Sequence, residues 1–383
     1  MMLNKQLWSE VQYGDYVDHI ERTETNPLVR KSARYVSVEH LKTGNLKINS
    51  WIDEEMPTFL RTFRKGQILF GKRRAYQRKV AFADFDGICS PHIWALEARN
   101  GLMQQFLPYV MLTEQFYEYV NANSAGTMSP YLKWPQLSKY TFLLPPLDEQ
   151  VRLVDLFQGI EQSIIRMQEQ ETNLKALQKA LSNGLANKKP VFGNLLSEKH
   201  CQSYSFGDIC DCIEKHDKTP LENDLTCFIG LENIESENFT LQGFGNIEDG
   251  TTFTKRFSKG DVLFGKRRAY LKKVAVADLD GICSSDILVF RAKTKTMLPE
   301  LLPYYASSDA FVNHAVSTSA GSLSPRTKWR DLAGFELSVP DLKIQEKIVD
   351  VFHQLSESLT LIKNQKQTLK TLKQKLLNEI LGG

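Results

Sequence analysis

The chain has 383 residues, more than one ordinary domain needs. It is 42% hydrophobic, 24% charged and 10% aromatic, a balance that excludes collagen-like, disordered and disulfide-scaffold classes. The 48 Lys and Arg nearly cancel the 45 Asp and Glu, so the net charge of +3 points to no partner; the local placement of charge must do so.

The first ten residues carry Lys5, Trp8 and Glu10 with no apolar run, unlike a signal peptide. No stretch reaches the ~18 apolar residues of a membrane span. These readings predict a cytoplasmic protein with no membrane contact. Residues 1–147 alternate short β-like runs with turn signals. Residues 67–70 (QILF) follow Lys65-Gly66, as a strand entered from a glycine turn does. Residues 80–83 and 93–96 flank Asp86-Gly87, a dipeptide that predicts a hairpin. Helical patterning occupies residues 104–120.

Residues 148–187 contain no Pro and only Gly159 and Gly184, which predicts a long helix. Leu153, Ile160, Met167, Leu174 and Leu181 recur every seven residues, with Phe157, Ile164 and Leu185 in the column four residues later. That is a coiled-coil seam. A second such helix is predicted over 343–381, with Ile348, Leu355, Ile362, Leu369 and Leu376 in one column and Phe352, Leu359 and Ile380 in the other. Glu171, Gln178, Lys366 and Lys373 interrupt the second columns, as register-fixing polar residues do. Neither helix can bury its stripe alone, so helix-on-helix packing is expected, with an antiparallel arrangement favoured.

The chain is an internal repeat. Residues 71–98, GKRRAYQRKVAFADFDGICSPHIWALEA, and 265–292, GKRRAYLKKVAVADLDGICSSDILVFRA, agree at 18 of 28 positions. YVSVEHL (35–41) answers FIGLENI (228–234), and SAGTMSPYLKW (124–134) answers SAGSLSPRTKW (319–329). The fold class is therefore mixed α/β: two similar globules, at 1–147 and 188–342, joined by helical spacers at 148–187 and 343–383 in a pseudo-two-fold arrangement.

Charge concentrates at one place in each copy. Residues 64–79 hold seven cations and no anion; residues 255–273 hold eight against Asp261 alone. Tyr76 and Tyr270 lie inside these runs. Clustered cations repel one another unless a polyanion or nearby acids compensate, and nucleic-acid phosphates fit. The expected DNA contacts are Lys72, Arg73, Arg74, Tyr76, Arg78 and Lys79, with Lys266, Arg267, Arg268, Tyr270, Lys272 and Lys273 in the second copy. The plain alternative is a solvated hairpin neutralised by Asp84, Asp86, Asp278 and Asp280.

No phosphate loop, kinase signature, dinucleotide turn, GxSxG or HExxH occurs. The seven histidines are scattered and undoubled. The six cysteines lack Cys-x-x-Cys spacing; Cys210 and Cys212, two apart, share a strand face in the simplest reading. No catalytic residue, metal site or cofactor of its own is expected.

The doubled basic segment, the SAGTMSP and SAGSLSP loops leading to LLPPLDEQ (143–150) and SVPDLKIQ (338–345), and the long helices that follow resemble the specificity (S) subunit of type I restriction-modification enzymes over nearly the whole chain. The second copy departs from the Pro-Pro-Leu-x-Glu-Gln entry, keeping only Gln345 of the Glu-Gln pair. The resemblance implies two target-recognition domains, each reading half of a bipartite site in double-stranded DNA, with the helices as a ruler. It implies partners: two methyltransferase (M) subunits carrying S-adenosylmethionine, and motor-nuclease (R) subunits using ATP and Mg²⁺. The rival readings are a stand-alone DNA-binding regulator, a coiled-coil adaptor and a nuclease with an unrecognised site.

Overall fold

The computed structural model describes all residues except 1–3, 54–57, 188–191, 194, 197–199 and 383. The expected domain boundary at 188 and the chain's extreme ends lie outside the described residues. The chain forms two compact units, Met1–Gln168 with Asn364–Gly383, and Glu169–Lys363.

The first unit contains β1 (Ser9–Gln12), β2 (Val17–Ile20), β3 (Arg22–Thr23), β4 (Arg34–Val36), β5 (Arg61–Phe63), β6 (Ile68–Gly71), β7 (Val80–Phe82), β8 (Gly87–Cys89), β9 (Ile93–Ala98) and β10 (Thr141–Leu144). One sheet has the order β2-β9-β6-β7, a second β3-β5-β8-β4, and β1 pairs with β10. All four residues of β6 are buried, which explains why its sequence is a continuous apolar run rather than an alternation.

The Asp86-Gly87 hairpin does not form. β7 and β9 do not pair with each other; β6 separates them, and Gly87 instead opens β8 in the other sheet. The dipeptide serves packing. The Asp86 carboxylate accepts the Lys65 N–H at 2.7 Å. A Cβ on Gly87 would lie 2.6 Å from the Arg34 carbonyl oxygen and 2.7 Å from the Phe63 ring. Asp280 and Gly281 repeat both features, with the Lys259 N–H at 2.7 Å and the Cys227 carbonyl at 2.6 Å from a Cβ.

The helical patterning of 104–120 divides into Leu107–Val110 and Glu114–Ala122. The second helix starts at Thr113, whose Oγ1 accepts the Phe116 N–H at 3.2 Å. Leu302–Ser307 and Asp309–Ser317 divide the same way at Ser308, whose Oγ accepts the Phe311 N–H at 3.2 Å.

The second unit repeats the plan with β11 (Cys201–Ser205), β12 (Cys210–Cys212), β13 (Cys227–Ile229), β14 (Gly245–Asn246), β15 (Lys255–Phe257), β16 (Val262–Gly265), β17 (Val274–Val276), β18 (Gly281–Cys283), β19 (Ile287–Ala292) and β20 (Glu336–Pro340). Its sheets are β12-β19-β16-β17 and β14-β13-β18-β15, with β11 on β20. The copies differ at an edge: the extra strand flanks β5 in the first unit and β13 in the second. That edge is built by the segments whose sequences diverge between the copies. Cys210 is buried and Cys212 half-buried on one strand, both free thiols; burial pushes the Cys212 thiol up to about 12.

The long helices are Leu147–Leu185 and Leu342–Leu381. Within the first unit they run antiparallel. Lys373 Nζ donates to Glu161 Oε1 at 2.6 Å, and Lys366 Nζ donates to Gln168 Oε1 at 2.7 Å. A step of seven forward on one helix thus meets a step of seven backward on the other. Within the second unit Gln178 and Ser356, one from each long helix, both reach the Tyr304 hydroxyl. The seam is buried where it meets a globule: Leu153 and Phe157 join the core of the first unit, and Leu185, Ile348 and Phe352 that of the second. At the end of the second helix the buried positions are Leu377 and Leu381, one residue beyond the expected Leu376 and Ile380, which are only partly buried. Ile160, Met167, Leu174, Leu181, Ile362, Leu369 and Leu376 are half-buried.

The helix-entry motif is an internal clamp. Gln150 Nε2 donates to the carbonyls of Pro145 and Gly101, both at 3.0 Å, and Oε1 accepts the Met103 N–H at 2.8 Å. Gln345 makes the same three bonds, to Pro340, Thr296 and Leu298, all at 2.8 Å. Glu149 accepts the Trp8 indole N–H at 2.6 Å. In the second copy Ile344 stands at the place of Glu149, half-buried against the core, so an acceptor has been replaced by an apolar side chain.

Candidate nucleic-acid interface

In each unit the basic run is the loop of a hairpin, β6 to β7 and β16 to β17. Each loop holds one 3₁₀ turn, Ala75–Gln77 or Ala269–Leu271, bracketed by two left-handed residues. These are Arg74 (φ 51°) and Arg78 (φ 54°), then Arg268 (φ 53°) and Lys272 (φ 49°). Left-handed backbone costs such residues roughly 1–2 kcal/mol each. Local bonds compensate: the Arg74 N–H donates to the Pro130 carbonyl at 2.7 Å, and the Arg268 N–H to Pro325 at 2.8 Å. The turn leaves Tyr76 and Tyr270 half-exposed, at 50% and 54%.

The nominated cations separate into two groups. Arg78 forks onto both carboxylate oxygens of Glu114 and lies over the Tyr117 ring at 4.7 Å; Lys272 donates to Asp309. Lys79 and Lys273 donate to the carbonyls of Val38 (2.9 Å) and Leu231 (2.6 Å). Lys72 lies 5.3 Å from the Trp94 ring centre, half-buried like Lys266. Arg74 and Arg268 are exposed with Tyr76 and Tyr270. Arg73 is exposed too, its Nε donating to Ser129 Oγ at 2.7 Å, and Arg267 is half-buried with its Nε on Ser324 Oγ at 3.1 Å. The compensating acids include Glu114 and Asp309, which the sequence alternative did not name. Asp86 and Asp280 are occupied by backbone N–H groups at the sheet turns.

The SAG loops belong to this site. Leu132 N–H donates to Lys72 O at 3.0 Å, and Thr327 N–H to Lys266 O at 3.1 Å, so each loop is stitched to its basic neighbour. In the first unit Arg73, Arg74, Lys79, Ser37, Ser90 and His92 line a cleft of about 440 Å³. Burial, then the nearby Arg73 and Lys72 charges, hold His92 below the ordinary imidazole range. The second unit differs in two linked positions. Asp286 takes the place of His92 and Arg326 that of Tyr131; Arg326 Nε donates to Asp286 at 2.6 Å, and Arg267 Nη1 donates to it at 3.5 Å. The Arg326 guanidinium, foremost, holds Asp286 below the usual carboxylate range.

The division has a consequence for stability. Arg78 holds Glu114, and Lys272 holds Asp309, below their ordinary ranges. A lowered carboxylate stabilises the fold above its unfolded-state pKa, and that stabilisation is lost as pH falls through the lowered folded value. Glu114→Gln and Asp309→Asn should each cost about 1 kcal/mol at neutral pH, since both acids are partly exposed, and nothing in strong acid. DNA binding should be nearly unchanged. Thermal unfolding from pH 7 to pH 2, alongside binding at pH 7, checks this; unaltered stability with tighter, more salt-dependent binding would move Arg78 and Lys272 to the interface.

Among the described residues no group of His, Cys, Asp and Glu could hold a metal ion, and no helix is long and apolar enough to cross a membrane.

The model of the Type I restriction modification DNA specificity domain matches this chain twice, over residues 23–176 and 198–371, and the chain belongs to that family. Each match includes one basic hairpin, one SAG loop and most of the helix after it. The chain is 25% identical over 286 residues to the Type I restriction enzyme EcoDI specificity subunit of Escherichia coli, a match covering 65% of this chain and 64% of that protein. The chain thus spans just under two thirds of that relative's length. It is 19% identical over 415 residues to the Type I restriction enzyme MjaVIII specificity subunit of Methanocaldococcus jannaschii, covering 98% and 92%. Its fold is similar to that of a chain solved in work on complex assembly and conformational transition of the type I R-M system (TM-score 0.61, 19% identity, 97% of each chain). It also resembles the Type-I restriction-modification system S subunit from M. genitalium (TM-score 0.53, 14% identity, 98% and 97%).

Proposed function

We propose that this chain is the DNA-reading, non-catalytic subunit of a type I restriction-modification complex. The observation that carries the reading is the duplicated exposed face of arginine and tyrosine on a turn bracketed by left-handed residues, in a chain of the specificity family. Arginine on such a turn can contact phosphates or pair with guanine O6 and N7, and tyrosine offers a flat apolar edge with a hydroxyl. Residues 1–147 and 188–342 each read one half of a bipartite duplex site. Two methyltransferase subunits dock on this chain, and motor-nuclease subunits complete the restriction complex. S-adenosylmethionine, ATP and Mg²⁺ belong to those partners, and the whole acts in the cytoplasm.

The shared turns together with the His92/Asp286 and Tyr131/Arg326 differences support half-sites that are related but not identical. Purification from the native host should recover a methyltransferase with the chain. Mapping methylated bases in that genome should show two short, related half-sites around an unread gap. Tight specific binding by the isolated chain, with no co-purifying methyltransferase, would favour a stand-alone regulator; two wholly unlike half-sites would overturn the relatedness.

A further inference from the structure

Met128 and Leu323 are the most exposed large apolar side chains among the described residues, at 93% and 90%. They occupy the same position in the two copies, at the tips of the SAG loops. The tips are rigid. In the first copy the Ala125 and Tyr131 N–H groups each donate to the other residue's carbonyl at 3.0 Å; in the second, Ala320 and Arg326 do the same at 3.0 Å. Gly126 (φ 102°) and Gly321 (φ 110°) permit the tight turn. The side chains differ between the copies, as do their neighbours Thr127 and Ser322, yet the tip is a large unbranched or γ-branched apolar group in both. An exposed apolar tip at the same place in both copies is available to a partner surface in the working complex.

We propose that Met128 and Leu323 are apolar base contacts: each tip enters a groove of the duplex and packs its side chain on the base pairs of its own half-site. The inference rests on the DNA-reading function above. Duplex DNA is the occupant because the tip does not stand alone. The backbone just beyond it, at Pro130 and Pro325, is hydrogen-bonded to the exposed Arg74 and Arg268, and Ser129 and Ser324 hold the Arg73 and Arg267 guanidiniums. A side chain anchored to that cationic face is carried to the same polyanion. Apolar wedges and thymine-methyl contacts are the established uses of such residues in DNA grooves.

The test uses the full chain co-expressed with its methyltransferase subunits and a duplex carrying the site mapped by methylation sequencing. Met128→Ala and Leu323→Ala should each weaken specific binding about ten-fold, the scale of returning a buried methionine or leucine to water. The salt dependence should not change, because no phosphate contact is lost. Met128→Leu should restore binding. Base-pair changes within one half-site should lose their effect in one variant and those in the other half-site in the other. Thermal stability and subunit assembly should match the unaltered complex.

Binding within two-fold of the unaltered complex, while the arginine reversals below destroy it, overturns this inference and leaves the DNA-reading function standing. Weakened assembly with the methyltransferase subunits also overturns it, in favour of a protein contact. No sequence preference in the unaltered complex overturns both.

Discussion

Reversing Arg73, Arg74, Arg267 and Arg268 to Glu should abolish sequence-specific DNA binding by the assembled complex while leaving it folded. The bonds that shape the turns come from the backbone: the Arg74 and Arg268 N–H groups hold Pro130 and Pro325 whatever the side chain. The Arg74 and Arg268 side chains face solvent, so reversing them leaves no buried partner unsatisfied. Reversal at 73 loses the bonds to Ser129 and His92, and at 267 the bond to Ser324 and the contact with Asp286, all at partly exposed sites. The electrostatic change is much larger. If each arginine neutralises one phosphate, the slope of log affinity against log salt should fall by about 0.9 for each, and affinity near physiological salt should drop by about 10³ or more. Neutral Gln at the same four positions should give an intermediate loss. Titration at several salt concentrations reads both quantities. Retained tight, salt-dependent binding would remove these turns from the interface.

Inserting a matched heptad into both long helices, after Leu177 and after Leu372, should widen the unread gap in the DNA site by about three base pairs. Seven residues add ~10 Å of helix and preserve the apolar period. Leu177 and Leu372 are exposed and lie 27 residues beyond Gln150 and Gln345, so the insertions begin away from those clamps. Methylation mapping in a host carrying the altered gene is the measurement. The half-sites should stay as they were, because β6–β7 and β16–β17 are untouched. An unchanged gap would mean that the helices do not set the spacing.

Much of the architecture was legible in the sequence because it rests on signals that survive in one dimension. The repeat is visible as repeated text. The long helices follow from the absence of proline and a sustained heptad, and both seams begin at buried residues, Leu153 and Ile348. The antiparallel sense follows in hindsight from Glu161 facing Lys373, a pair 212 residues apart that no local pattern announces. The failures share that cause. Asp86-Gly87 has the composition of a hairpin turn, but glycine is equally required where Arg34 and Phe63 crowd β8, and the two needs read alike. Arg78 and Lys79 look the same as Arg73 and Arg74 in the run; only the fold brings Glu114 and the Val38 carbonyl to the first pair. The exposed tips at Met128 and Leu323 are not legible in the sequence, because a lone methionine or leucine in a Ser/Gly-rich loop has no distinguishing pattern until its environment is known. The doubled position was the available signal.

The two units are drawn from the chain in different ways. The second is one uninterrupted stretch, while the first needs Leu377 and Leu381, from the far end, to close the core around Leu153 and Phe157. During synthesis the earlier half must therefore wait for the last turns of the final helix. At ordinary translation rates that wait is roughly 10–40 s for the intervening ~200 residues, and meanwhile an oily groove stays open to water. The later half, fully emerged first, can settle first. The core around Leu153 and Phe157 is thus closed by residues made more than 200 positions later, whereas every residue of the second unit's core precedes them.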